Sequence, residues 1–556
     1  MGKYLLRMQL KWLKRLFMPV VYALFIIGLN ACGNHSTNKV DQRKNTLVIG
    51  NGAGEVPTLD PGKWSDTTSL RVLHDLFEGL VFENQKDEVL PGIAKSWDIS
   101  KDGKTYIFHL RDDAKWSNGK SVTAQDFVYA FKRNINPKTG AQQLDVFRPI
   151  VNANAIIAGK KSADTLAIKA LNKNTLEIKL AYPYPYFIPS LLNPITYPLY
   201  QPAIEKWGNG WIQVGKMVSN GPYELKQWIP NGHILVSKSP YYWQKDKVKI
   251  QNVKFMPMTP QAEYSQFMAN QIDMTYTVPT GISKEQLKAQ FGDEFYNVPM
   301  LGTYFYWFNM QAKGVDKLEV RKALTMSVDR KLIVDKILKL GQTPLYGQVP
   351  PQIQEGAFKD LYKDVAGYAW VDWSISKRIQ VAKEMLKKAG YSQENPLQIT
   401  ISFNTQDGHK LIAEAISEMW KKAFGSLIEV TLLNEEWKVY LQTLQRGNYQ
   451  VGRMGGIATL NTAGNFVESY LCHNAGNYGG YCNKKLDQYY LQSMHSLKAK
   501  EADDYMKKAL EISMGDYVTL PIYSYTYSRL VKRYVGGYHP KENYMDDTYS
   551  KWFYFK

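Results

Sequence analysis

The sequence predicts a mixed α/β protein of three or four structural units, and three observations carry that expectation. The chain has 556 residues, several times the roughly 150 residues of an average domain. Hydrophobic residues make up 44% and charged residues 22%, ordinary globular usage that argues against disorder, collagen or a multi-span membrane protein. Short β-rich runs also alternate with amphipathic helical patterns along most of the length, as mixed layers require.

The first thirty-one residues read as a leader. Lys3, Arg7, Lys11, Lys14 and Arg15 make a basic start, and an uncharged run extends from Leu16 to Leu29. That run falls short of the roughly 20 residues that span a bilayer, so the three-part shape is that of an export signal. Leu29-Asn30-Ala31-Cys32 is similar to a bacterial lipobox. Residues 1–31 are then a lipoprotein signal peptide, and Cys32 is lipidated and holds the mature protein to a membrane through two or three acyl chains. Residues 32–45 are polar, as expected of a flexible tether. Setting Cys32 aside leaves Cys472 and Cys482, an even number in an oxidising compartment, and a disulfide between them is expected. His473 beside Cys472 does not give zinc-ligand spacing.

Lys and Arg number 69 against 51 Asp and Glu. The positive charges are dispersed and no nucleic-acid motif accompanies them, so no nucleic-acid partner is expected. Aromatic residues reach 13%, with 38 Tyr and 14 Trp, a composition suited to sites for chemically varied ligands.

Along the mature chain, Thr46 to Gly50 reads as a strand leading into Gly50-Asn51-Gly52-Ala53-Gly54. A dinucleotide loop would need Gly at position 55, which is Glu55, and Pro57 and Pro61 break the helix that should follow. Trp97 to Trp116 reads as a hairpin about Asp102-Gly103. Thr123-Ala124-Gln125-Asp126 opens a helix as a capping box, with Phe127, Val128, Ala130 and Phe131 on its apolar face. A second hairpin spans Leu166 to Leu180, and Tyr182 to Pro202, with six prolines and five tyrosines, reads as an irregular seam. Strands are expected at Gly221 to Trp228, Ile234 to Ser237 and Val253 to Met256, and helices at Val320 to Leu338 and Ser376 to Ala389. No repeat of fixed period is present.

The run PGIAKSWDISKDGKTYIFHLRDDAKWSNGKSVTAQDFVYAFKR, Pro91 to Arg133, resembles the signature of the oligopeptide and dipeptide receptors of bacterial ABC importers, the OppA/DppA-like solute-binding proteins. The resemblance continues through SNGPYELKQW, SPYYW, VRKALTMSVDR, AKEMLKKAGY and SRLVKRYVGGY and covers essentially the whole mature chain. It implies an α/β fold of two lobes, a periplasmic-binding-protein-like (type II) clamshell with an extra subdomain inserted in lobe I. The implied partition is lobe I at 46–82, the inserted subdomain at 83–205, lobe I again at 206–300, lobe II at 301–524 and lobe I at 525–556. Two segments crossing between the lobes make a hinge that closes on ligand.

In such receptors an extended peptide lies between the lobes and its backbone pairs with exposed strands. The matching stretches are Asn51 to Val56, Gly302 to Phe305, which includes Tyr304, and Val451 to Ile457. Hydrated pockets accept varied side chains, and Trp437 matches an aromatic wall position. The ligand amine is usually held by an Asp in a stretch similar to R-x-G-W-x-A-D-Y. The aligned text here is Arg453-Met454-Gly455-Gly456-Ile457-Ala458-Thr459-Leu460, with Gly456 at the Trp and Thr459 at the acid. Losing that carboxylate costs about 3 to 5 kcal/mol if a buried ammonium is left unpaired. Amine recognition is therefore expected to be reduced or relocated, with Glu55 the first substitute acid and Glu435 or Glu436 next, and Thr459→Asp is expected to tighten free-amine peptides. Some homologues carry a Cys pair at the positions of Gly302 and Ile457. Arg453 and His409 match groups that meet the peptide carboxylate, with Arg446 nearby; the planar Arg fork suits a carboxylate.

No H-E-x-x-H, G-x-S-x-G or Walker loop is present, so no enzyme, no catalytic residue, no metal site and no cofactor is expected. The implied function is the exported ligand-binding subunit of a peptide importer. It works as a membrane-anchored monomer on the periplasmic or extracellular face and delivers oligopeptides to an integral-membrane permease with separate ATPase subunits. A peptide-sensing receptor, or a binding protein for a cell-wall peptide, metal chelate or heme, remains the alternative.

Overall fold

Alternating Tyr106, Phe108 and Leu110 bury one face of the strand Thr105–Leu110, which pairs antiparallel with Ala94–Ile99 across the expected turn. In this computed structural model residues 45–556 are described, apart from 354–356, 497, 542, 544, 546 and 547. The leader, Cys32 and the tether up to residue 44 lie outside the described residues. Val48–Lys556 forms one unit.

The hairpin belongs to a four-stranded antiparallel sheet in the order Ala94–Ile99, Thr105–Leu110, Thr175–Lys179, Ile168–Asn172. Against it packs the helix Ala124–Ile135, whose first turn is held by Asp126 accepting from the Thr123 N–H at 2.7 Å. Phe127, Phe131 and Ile135 are fully buried, and Phe131 meets Phe147 at 5.2 Å between ring centroids. A second four-stranded sheet has the order Thr46–Gly50, Asn252–Met256, His233–Lys238, Tyr223–Ile229.

The largest sheet has six strands in the order Thr343–Pro344, Thr519–Leu530, Phe295–Phe308, Val451–Ile457, Leu397–Asn404, Ile428–Glu435. Leu397–Asn404 is parallel to both of its neighbours and the remaining pairs are antiparallel. Its two longest strands, Phe295–Phe308 and Thr519–Leu530, run side by side, with register shifts between Pro299 and Thr303 and between Tyr304 and Phe305. Such irregularities bend a ladder and increase its twist.

The helix expected from Val320 to Leu338 is broken. A helix covers Leu318–Met326, Ser327 Oγ then donates to the Ala323 and Leu324 carbonyls at 3.0 Å, and Asp329 starts a new turn by accepting from Leu332 N–H at 3.1 Å. The break turns Arg330 into the core, where it donates to the Pro521 carbonyl at 2.8 Å and to the Thr325 and Val328 carbonyls at 3.2 Å. Cys472 and Cys482 form a disulfide, with Cα atoms 4.5 Å apart. Among the described residues no helix is long and apolar enough to cross a membrane.

Candidate functional site

A cavity of about 440 Å³ is lined by Gly52–Gly54 and Asp66–Thr68 from one side and by Arg453–Thr459 from another; Asp145, Glu468 and Tyr525 complete its rim. The volume falls in the range of ligand pockets. The strand Val451–Ile457 supplies Arg453 to Ile457 to its wall. One edge pairs with Gly302–Phe308 throughout, but the other meets Leu397–Asn404 only at Val451 and Gly452. The Arg453 carbonyl accepts from Tyr440 Oη at 2.7 Å, and residues 454–457 present an open edge.

The expected stretch Gly302–Phe305 does not share that property. Thr303, Tyr304 and Phe305 have register partners on both sides, in Val451–Ile457 and in Thr519–Leu530, so this strand is interior and its main chain is occupied by the sheet. Tyr304 is fully buried behind the cavity wall. Gly302 and Ile457 are direct register partners. Of the first stretch, Asn51 N–H donates to the Met256 carbonyl at 2.8 Å and the Gly52 carbonyl accepts from Met258 at 2.7 Å, leaving Ala53 and Gly54 against the cavity.

Arg453 is 8% exposed and lines the cavity. It donates from Nη1 to Asn404 Oδ1 at 3.2 Å and from Nη2 to Tyr525 Oη at 2.8 Å, its Nε has no partner, and its guanidinium lies 4.6 Å from the Tyr304 ring. Burial opposes its charge, but Tyr525, Tyr304, Tyr523 and Tyr440 around it raise its pKa above the usual arginine value. No carboxylate pairs with it among the described residues. His409, in the first turn of the helix Asp407–Phe424, meets Tyr304 Oη at 3.3 Å through Nδ1. Burial, and then the Arg453 charge, push its pKa well below the ordinary value, so it is neutral at physiological pH.

Trp437 opens the helix Trp437–Gln445 and lines the cavity, its indole N–H unpartnered. It rests on Gly54, where an added Cβ would lie 2.6 Å from the Trp437 Cβ. Gly455 lies beneath Tyr525, whereas at Gly456 the nearest atom to an added Cβ, on Phe305, is 3.8 Å away. The Trp-to-Gly departure at position 456 therefore leaves open space.

The substitute acids expected from sequence are engaged elsewhere. Glu55 Oε1 accepts from Trp228 Nε1 at 2.7 Å and Oε2 from the Asn231 N–H. Glu435 Oε1 accepts from Thr443 Oγ1 at 2.9 Å while its Oε2 is buried without a partner among the described residues, and Glu436 caps its helix by accepting from Lys438 and Val439 N–H. None of the three lines the cavity. The acids that do were not singled out: Asp66, Asp145, Glu263 and Glu468. Asp66 is consumed as an N-cap, accepting from Ser69 N–H at 2.8 Å and Ser69 Oγ at 2.7 Å. Glu263 accepts from Tyr276 and Thr277 N–H at 2.6 and 3.2 Å, and burial pushes its pKa up to about 8. Thr459 is fixed by Asn465, whose Oδ1 accepts from Thr459 N–H at 2.7 Å, Thr459 Oγ1 at 3.2 Å and Leu460 N–H at 2.8 Å.

Comparison with known proteins accords with this arrangement. A sequence model described as bacterial extracellular solute-binding proteins, family 5 Middle, matches residues 88–478. The periplasmic oligopeptide-binding protein OppA of Escherichia coli (strain K12) is 37% identical over 514 residues, covering 91% of this chain and 92% of that protein. The crystal structure of Haemophilus influenzae OppA in complex with RPPGFSPFR superposes with a TM-score of 0.88 at 35% identity, over 92% of this chain and 99% of that one. The murein tripeptide-binding protein MppA of Escherichia coli superposes with a TM-score of 0.87 at 33% identity, over 92% and 98% of the two chains. Its unliganded open form, at the same identity and over 92% and 97%, gives only 0.61. The lobes of this chain therefore stand as in the former and not as in the open form.

Proposed function

The chain belongs to the bacterial extracellular solute-binding proteins, family 5, and on that premise we propose that it is the extracytoplasmic binding subunit of an ABC importer, capturing oligopeptides between two closing lobes. The observation that carries this reading is the open edge of residues 454–457 beside a buried Arg453 that lacks a carboxylate of its own among the described residues. Unpaired strand backbone gives affinity for any extended peptide without reading its side chains. An unpaired guanidinium in a low-dielectric wall favours a carboxylate ligand. The relatives are binding proteins rather than enzymes, which fits a non-catalytic role.

The proposed partition places lobe I at 46–82, 206–300 and 525–556, the inserted subdomain at 83–205 and lobe II at 301–524. The register shift between Pro299 and Thr303, opposite Ser524 to Thr526, supports a hinge at the two crossings. Export, a lipid anchor at Cys32, a monomeric state and delivery to a permease with separate ATPase subunits complete the proposal. Isothermal titration of the mature domain with random tri- to pentapeptide libraries tests it: micromolar or tighter binding is expected, and no heat with any library refutes it. A murein-derived peptide is the second reading, supported by superposition on MppA nearly as good as on OppA.

A further inference from the structure

We propose that Glu468, which lines the cavity together with Asp145, receives the positively charged group of the ligand, so that a free amine draws the inserted subdomain and lobe II together. The inference rests on the peptide-binding reading above and adds the residue that sets ligand polarity.

The cavity is bipolar. Arg453 supplies an unanswered positive charge on one wall, and Glu468 and Asp145 line another. Glu468 Oε1 accepts from Asn465 Nδ2 at 3.2 Å, and its second oxygen takes no hydrogen bond from any described residue. Asn465 is the residue that also fixes Thr459 and Leu460, so Glu468 is aimed from the end of the ligand-pairing strand. Asp145 belongs to the short turn Leu144–Phe147 of the inserted subdomain. Its oxygens are taken by Arg148 Nε and by Asn474 Nδ2, the latter from the disulfide-closed loop of lobe II.

Two carboxylates thus share one arginine. Burial raises the pKa of Glu468, and so does the charge of Asp145, while Arg148 opposes them. A ligand cation would remove this conflict by pairing with the free oxygen of Glu468. Of the remaining cavity acids, Asp66 caps a helix, and Glu263 takes two backbone N–H groups on Oε2 and is held neutral by burial, its Oε1 buried without a partner among the described residues. The six residue-to-residue steps from Arg453 to Thr459 span at most about 22 Å, a separation that suits the two charged ends of a short peptide.

The test compares tetra-alanine and a random tetrapeptide library with their N-acetylated forms, by calorimetry, on the wild-type mature domain, Glu468→Gln and Glu468→Asp, with thermal unfolding as a folding control. Acetylation is expected to weaken wild-type binding at least tenfold. Glu468→Gln is expected to bring the free and acetylated forms within about threefold of each other, and Glu468→Asp to restore part of the preference. Glu468→Gln keeping the wild-type ratio, or a wild type indifferent to acetylation, overturns the proposal while leaving the peptide reading intact. A wild type that binds neither form of either probe overturns both.

Discussion

The hydroxyl of Tyr525 accepts from Arg453 Nη2 at 2.8 Å, and the same hydroxyl stands 2.4 Å from where a Cβ on residue 455 would lie. The glycine beneath the tyrosine thus sets the position of the tyrosine that holds the arginine. Gly455→Ala is expected to displace Tyr525, remove a hydrogen bond to a charged donor worth about 1.5 to 3 kcal/mol and weaken peptide binding roughly 10- to 100-fold. Gly456→Ala, whose Cβ meets only ordinary contact, is expected to match or slightly exceed wild-type stability, because Gly in a strand costs about 0.5 to 1 kcal/mol relative to Ala. Calorimetry and thermal unfolding on the two variants check the contrast.

Arg453→Met is expected to cost about 2 to 5 kcal/mol of affinity for a peptide with a free carboxylate and far less for the amidated peptide. Titrating both peptides against both proteins gives the coupling, and equal losses on the two ligands would contradict a carboxylate role.

Glu263, held at about 8 by burial, carries a proton in the folded protein that the unfolded chain gives up near 4.5. Its contribution is present below that value and is lost as pH rises toward 8. Asp75, pushed to about 7 by burial, acts in the same direction. These two carboxyls are expected to lower the unfolding free energy between pH 5 and 8, against an opposing rise up to about pH 6.5 from the buried, neutral His74 and His409, and Glu263→Gln is expected to remove on the order of 3 kcal/mol of the fall. Urea unfolding at four pH values measures it.

The Cys472–Cys482 bridge closes a short loop. Replacing both cysteines by serine is expected to lower stability by about 2 to 3 kcal/mol, and to weaken ligand binding as well, because Asn474 in that loop carries the contact to Asp145. Thermal unfolding and peptide titration of the double variant test both effects.

Local signals in the sequence located much of the fold. The hairpin around Asp102-Gly103, the capping box at Thr123 to Asp126 and the strand Thr46–Gly50 are each decided within a few residues. The helix broken at Ser327 was not legible, because its cause is burial of Arg330 against Pro521, far along the chain. Glu55 was a reasonable acid by position, but its side chain is claimed by Trp228 and Asn231 on a distant hairpin. Gly302–Phe305 looked available until the strand Thr519–Leu530 covered its second edge. Glu468 and Asp145 carry no local motif, and only the fold brings the turn Leu144–Phe147 against Asn474. Arg453, His409 and Trp437 are candidates because a family pattern marks their positions, and the structure sets the first two together around Tyr304.

Native mass spectrometry of the freshly purified mature domain, before and after mild unfolding, tests the central claim most directly. A ladder of copurifying masses spanning short peptides is the predicted result, as an open backbone edge flanked by opposite charges would collect. A single non-peptide mass, or an empty protein that later binds no peptide library, would contradict it.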